Sequence, residues 1–235
     1  MSPITMNYRH NRLTPPATAG GILRLPLITL TLLLCSLPLS LSADLFQLSY
    51  FDRSLIHQGQ LWRLVTGHLC HTSISHLGWD LLAFAVAAGY LELHSRRVLQ
   101  ASLLAGLIML DMLLLSTWSE VTRYAGLSGL LFAPLVISLF IFARKQHSLN
   151  GWLPMLICLG KLIWEQFSQQ ALLSESPWPP YPAAHLAGTL GGALWLIIDL
   201  EKNAFGITTT DIKQLNIRAL HPDLKVLSQQ EKQDI

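Results

Sequence analysis

Apolar stretches long enough to cross a lipid bilayer recur along this chain, at about 24–43, 76–95, 98–118, 126–143, 150–168 and 182–200. A helix needs roughly 20 apolar residues to span the hydrocarbon layer. A backbone at that depth must satisfy its own hydrogen bonds, which a helix does. The expectation is an all-α membrane protein, with a six-transmembrane-helix bundle at 24–200, a short N-terminal segment at 1–23 and a polar C-terminal tail at 201–235. Charged residues make up 13% of the 235 and hydrophobic ones 51%, too little charge to cover a water-soluble chain of this length. The fifth stretch is the weakest, because Lys161 and Glu165 interrupt it. Four residues apart, they can pair on one helix face.

The first stretch has a rival reading as a secretory signal, with Arg9, Arg12 and Arg24 before it and Ala43 after. Its apolar part is long for a signal and five further stretches follow, so it is read as a span. Cys35 follows Leu34 rather than a small residue and is not read as a lipid-attachment site. Basic residues in the connections set the expected orientation. With the N-terminus in the cytoplasm, that side holds Arg9, Arg12, Arg24, Arg96, Arg97, Arg144, Lys145 and five basic residues of the tail, against Arg53, Arg63 and Arg123 outside. Both termini are therefore expected to be cytoplasmic. The net charge of +2 gives no reason to expect nucleic acid. Three scattered cysteines (35, 70 and 158) form no CxxC and imply no disulfide framework.

This topology brings polar residues of three stretches to one level. The second starts outside with "GHLCHTSISHLGWD", carrying His68, His71, His76 and Asp80; the fourth with Gly126-Leu127-Ser128-Gly129; the sixth with "YPAAHLAGTLGG", carrying His185. Ionisable groups at membrane depth are functional candidates. Ala125, Gly129 and Ala133 recur at four-residue spacing, as do Ala184, Gly188 and Gly192. Such small-residue faces let two helix backbones approach closely, which would bring Ser128 to His185. A neutral imidazole can take the serine proton as general base, and the start of the fourth helix offers free N–H groups and a positive dipole end to an oxyanion. His68, His71, Thr72, Ser73 and Ser75 are expected to line the entrance of a water-filled cavity. The alternatives are packing for Gly126–Gly129, a hydrogen-bonded core role for His185, and a metal site from His68, Cys70, His71, His76 and Asp80. No HExxH occurs, and neither a metal nor a cofactor is expected.

In motif order, most of residues 60–200 resembles the rhomboid family of intramembrane serine proteases. Trp62-Arg63 resembles the family's first-outer-loop motif, "HTSISHLGWD" its second-helix pattern with His71 and His76, GLSG at 126–129 its serine motif, and "AHLAGTLGG" its sixth-helix histidine and glycines. Glu92 stands where the family often has a glutamate. The resemblance implies a serine endopeptidase with a Ser128–His185 dyad and no third acid. It also implies an oxyanion hole from His76, the Ser128 N–H and residue 80. Two positions depart: Asp80 replaces the usual asparagine, and Phe132 the usual tyrosine, keeping a flat contact with His185 but losing a hydroxyl. An ionised Asp80 would repel an oxyanion, so the expectation is either a protonated carboxyl that donates as an amide would, or an ionised one that holds His76 as the imidazolium donor.

Within the family, the short chain and "TGHLCHTSISHL" look most like the rhombosortases. That likeness implies a bacterial cytoplasmic-membrane enzyme with its site facing the exterior. Its partners would be the bilayer and membrane-anchored proteins with Gly-Gly C-terminal anchors. Other readings are a general rhomboid protease, an inactive rhomboid-like helix-binding protein supported only by Asp80, and a small transporter using Asp111 and the Lys161–Glu165 pair. The last lacks the inverted repeats expected of it. Asp111 is read as hydrogen-bonded to a neighbouring helix, and Trp62-Arg63 as an interfacial anchor or a shaper of the outer loop.

Overall fold

A computed structural model describes residues 25–146, 148–170, 172 and 176–204. The N-terminal segment and all of the tail beyond residue 204 lie outside the described residues, and with them Arg9, Arg12, Arg24 and four of the tail's five basic residues. Within residues 9–195 the described elements form one compact unit; of a second unit only Leu196–Ala204, the end of the last helix, is described.

Helix α1 (Leu27–Leu41) is followed by α2 (Ala43–Ser49), bent away by 111° at Ser42, whose side chain accepts from the Leu45 N–H and caps the second piece. Strand β1 (Phe51–Asp52) leads into two short helices, α3 (Arg53–His57) and α4 (Arg63–Thr66). The long helices α5 (Ile74–His94) and α6 (Arg96–Leu115) come next, then strand β2 (Arg123–Tyr124), α7 (Ser128–Gln146), α8 (Leu153–Ser168) and α9 (Pro182–Ala204). Ser73 and Ser95 cap α5 and α6 by accepting from the N–H groups of His76 and Val98.

Among the described residues four helices are long and apolar enough to cross a membrane, α5, α6, α7 and the part of α9 through Glu201, and the bent α1–α2 pair makes up to a fifth. This differs from the six spans expected. At 16 residues, α8 reaches about 24 Å at 1.5 Å per residue, short of the roughly 30 Å hydrocarbon layer. It ends at Gln169, whose φ of 54° is the left-handed turn that closes the helix. The paired β1 and β2, with Phe51 opposite Tyr124 and Asp52 opposite Arg123, are a small addition to an otherwise helical fold.

Helix α7 sits at the centre, packed on α5 and α6, with ten of its residues buried. Ser138 Oγ donates to the Ala87 carbonyl across the α5–α7 contact at 2.9 Å. Small residues set the approach of α9. A Cβ on Gly188 would collide with the Gly129 carbonyl oxygen, one on Gly192 with that of Ala133, and one on Gly191 with that of Ala105. The matched small faces read from the sequence do meet, and α9 adds a third close contact, with α6.

Buried charges pin the ends of these helices. Glu92 accepts from the N–H groups of Ile28 (3.0 Å) and Thr29 (2.8 Å) and from the Thr29 hydroxyl (2.9 Å), so a carboxylate of α5 caps the start of α1. Arg63, 3% exposed, donates to Gln60 and to the carbonyls of Tyr50 and Gln47, and the Trp62 indole N–H to the Leu48 carbonyl. Of the two readings of Trp62-Arg63, these bonds describe the shaper of the loop. Arg53 closes the far end of α6 by donating to the Leu114, Ser119 and Val121 carbonyls.

Candidate active site

Ser128 is the first residue of α7, so its side chain stands beside N–H groups that no preceding turn can satisfy. Two features of Gly126 deliver it there. Its φ of +151° is one that side-chain-bearing residues rarely adopt, and a Cβ would lie 2.9 Å from the His76 ring. His185 enters from the first turn of α9, and its Nε2 lies 2.9 Å from Ser128 Oγ. The Phe132 ring stacks on the imidazole with centroids 4.7 Å apart and an interplanar angle of 27°. The other imidazole nitrogen, Nδ1, lies 2.8 Å from Glu165 Oε2 on α8, and Glu165 Oε1 accepts from Lys161 at 2.6 Å.

A second cluster flanks the serine. Asp80 Oδ2 is 3.0 Å from His71 Nε2 and 3.3 Å from His76 Nε2, and the two rings meet edge to face. His71 Nδ1 is 3.2 Å from Ser40 Oγ, tying this cluster to the end of α1. The Leu127 N–H, immediately before Ser128, points at His71 Nε2 from 3.2 Å. Burial pulls the His71 pKa down against the opposing pull of Asp80. The Tyr124 hydroxyl faces the start of α7 beside Ser128 and Gly129, and burial holds the phenol well above its usual range, so it stays neutral. His71, His76 and Asp80 each present one ligand atom within 4.8 Å of the others; those atoms already face one another as hydrogen-bond partners.

A cavity of about 630 Å³ opens on these groups. His76, Asp80, Ser128, Lys161, Glu165 and His185 supply polar lining, while Trp79, Leu135, Leu139, Ile157 and Trp164 contribute apolar walls. This is a space in which an apolar segment could lie with one backbone carbonyl near the serine. The entrance differs from expectation. His68, His71, Thr72, Ser73 and Ser75 do not line this cavity, whereas Ser176, Trp178 and Tyr181 do. His68 is fully buried and its Nε2 lies 3.1 Å from Asp111, so the partner of Asp111 is a loop residue rather than a neighbouring helix.

Ser128, His185, Phe132, His76, Asp80, His71, Gly126 and Gly129 are thus brought together. The sequence reading missed Glu165 and Tyr124 as neighbours of the pair. Glu165 carried a signal, a carboxylate in an otherwise apolar stretch, but its pairing with Lys161 was sufficient to explain it. Tyr124 had none, being one of several aromatics in a loop.

The arrangement is that of a multi-pass helical membrane protein with a serine–histidine pair at the start of its central helix. A family model described as Rhomboid domain matches residues 58–202, more than half of the chain, and the protein belongs to the rhomboid family. Rhomboids are intramembrane serine proteases acting on membrane proteins, and inactive members also exist. No curated protein matches the chain.

Proposed function

We propose that this protein is an active intramembrane serine endopeptidase with Ser128 as nucleophile and His185 as general base. The observation that carries the reading is the 2.9 Å contact between Ser128 Oγ and His185 Nε2 at a helix N-terminus bordering the cavity. In the reaction, His185 takes the hydroxyl proton as Oγ attacks the scissile carbonyl. It then gives that proton to the leaving amine, and a water hydrolyses the acyl-enzyme by the same route. The negative oxygen of the tetrahedral intermediate is held by the Ser128 N–H and by His76.

Asp80 supports this reading through its neighbours. With Oδ2 facing two imidazoles, an ionised Asp80 can pair with His76 and leave the His76 Nδ1 to donate to the oxyanion. That nitrogen has no partner among the described residues. The inactive reading rests on Asp80 alone, and this pairing supports the active reading against it.

The proposed orientation, both termini in the cytoplasm and the site toward the exterior, comes from the distribution of basic residues; the bacterial cytoplasmic membrane is what the rhombosortase resemblance implies. The proposed subtype is rhombosortase-like, removing glycine-rich C-terminal anchors, and it rests on the resemblance of "TGHLCHTSISHL". The test is fluorophosphonate labelling and cleavage of a transmembrane reporter by purified protein, comparing native with Ser128→Ala and His185→Ala. Labelling and cleavage should be lost in Ser128→Ala with the fold retained. Cleavage above a few per cent of native in that variant removes the serine mechanism.

A further inference from the structure

Glu165 is 1% exposed, and its two carboxylate oxygens have different partners. Oε1 accepts from Lys161 Nζ at 2.6 Å and from the Leu172 N–H at 3.3 Å. Oε2 faces His185 Nδ1 at 2.8 Å. An ion pair serving only α8 accounts for Oε1 and leaves the Oε2 contact unexplained. His185 therefore lies between two oxygens, Glu165 Oε2 on one nitrogen and Ser128 Oγ on the other. Lys161 is itself held, with Nζ 5.3 Å from the centroid of the Phe132 ring that stacks on His185. Glutamate, lysine and phenylalanine thus form one support around a single imidazole.

We propose that Glu165 is the positioning residue for His185, held in place by Lys161 and the Leu172 N–H, so that Ser128, His185 and Glu165 act as a triad. The proposal rests on the serine-protease reading above. A carboxylate at Nδ1 requires the proton on that nitrogen, which leaves the Nε2 lone pair directed at the serine hydroxyl. When the Oγ–H bond breaks and its proton passes to Nε2, the oxygen's electron pair forms the new bond to the scissile carbon and the imidazolium charge appears beside Glu165. The proton then leaves with the amine as the C–N bond breaks. Glu165 stays ionised throughout and carries no proton. Lys161 prevents the carboxylate from turning away and balances its charge in a weakly solvated site. The signature in the sequence is the i, i+4 lysine–glutamate pair in the fifth apolar stretch.

The test uses Glu165→Gln and the double variant Lys161→Met/Glu165→Leu, in which no charge is left unpaired, so that one of them reports even if the other does not fold. Two readouts are taken: kcat and KM for a transmembrane reporter, and 15N spectra of labelled histidine with the His185 signal assigned by its loss in His185→Ala. The expected result is a fall in kcat of at least about 100-fold, the scale of a disabled general base. KM should move by less than threefold, and His185 should lose its Nδ1–H tautomer. A folded variant in which either kcat stays within threefold of native or the Nδ1–H tautomer persists overturns the proposal. Ser128→Ala separates the two levels. If it still cleaves, the protease reading itself fails; if it is dead while the Glu165 variants work normally, only the positioning role is lost.

Discussion

Gly188 of α9 lies so close to Gly129 of α7 that a Cβ on Gly188 would meet the Gly129 carbonyl oxygen and then the Phe132 Cβ. This contact sets the distance between the serine and its base, because Ser128 precedes Gly129 and His185 stands one turn before Gly188. Gly188→Val should push α9 away, cost about 1–3 kcal/mol in overpacking, and abolish fluorophosphonate labelling although the Ser128 and His185 side chains are both present. Gly78 is the control: it is exposed on α5, and a Cβ there would find nothing within 4 Å. Gly78→Ala should label as native does and gain up to about 1 kcal/mol from helix propensity. Thermal unfolding in detergent alongside the labelling rate checks both; normal labelling by Gly188→Val would mean that the glycine contact does not set the site.

The meeting of these two helices was legible because small residues at fixed spacing are a one-dimensional signal for a close backbone approach. The serine and histidine followed, since each adjoins such a face. The acid at His185 Nδ1 was not legible. Whether Glu165 faces Lys161 alone or also another helix depends on how α8 is rotated and placed, and the pattern on α8 does not fix that. The same holds for Asp80. Its position one turn from His76 was readable, but His71 arrives from a loop whose path is set by contacts such as Ser40 and the Leu127 N–H. Four to five of the six expected spans are found among the described residues, for a related reason. Composition marks apolar stretches but not the bend at Ser42 or the short reach of α8.

Asp80 gives a prediction with a clear direction. Two imidazole nitrogens converge on one oxygen, Oδ2. An ionised carboxylate can accept from His76 Nε2–H, while His71 Nε2 serves either Asp80 as a donor or the Leu127 N–H as an acceptor, not both. Asp80→Asn keeps the shape and removes the charge that holds His76 as a donor, so kcat/KM should fall by tenfold or more. Asp80→Ala should fall further, because His71 and His76 both lose their partner. Kinetics on the purified variants, with thermal unfolding to confirm the fold, decide it. Native activity in Asp80→Asn would mean that residue 80 works as a neutral hydrogen-bond donor, as an asparagine would.

The substrate preference is the furthest consequence of the site's placement. The proposed reacting groups, Ser128 and His185, sit at the start of α7 and in the first turn of α9, at one end of the bundle. The scissile bond should therefore lie at one end of a substrate's own membrane helix. A regular helix hides its carbonyls in hydrogen bonds, so cleavage favours a segment that unwinds easily. Glycines supply this, being poor helix formers and allowing close backbone approach. A C-terminal anchor with paired glycines just before its apolar helix meets both needs. Deleting the enzyme from its host should leave proteins with such anchors membrane-bound with the terminal helix attached, and replacing the glycines by leucine should block release in the native strain. C-terminal mass spectrometry of exported proteins, with native enzyme and with Ser128→Ala, makes the comparison. If Gly-Gly-anchored proteins end at the same residue in both strains while other membrane proteins change, the enzyme is a general rhomboid protease and the anchor preference is wrong.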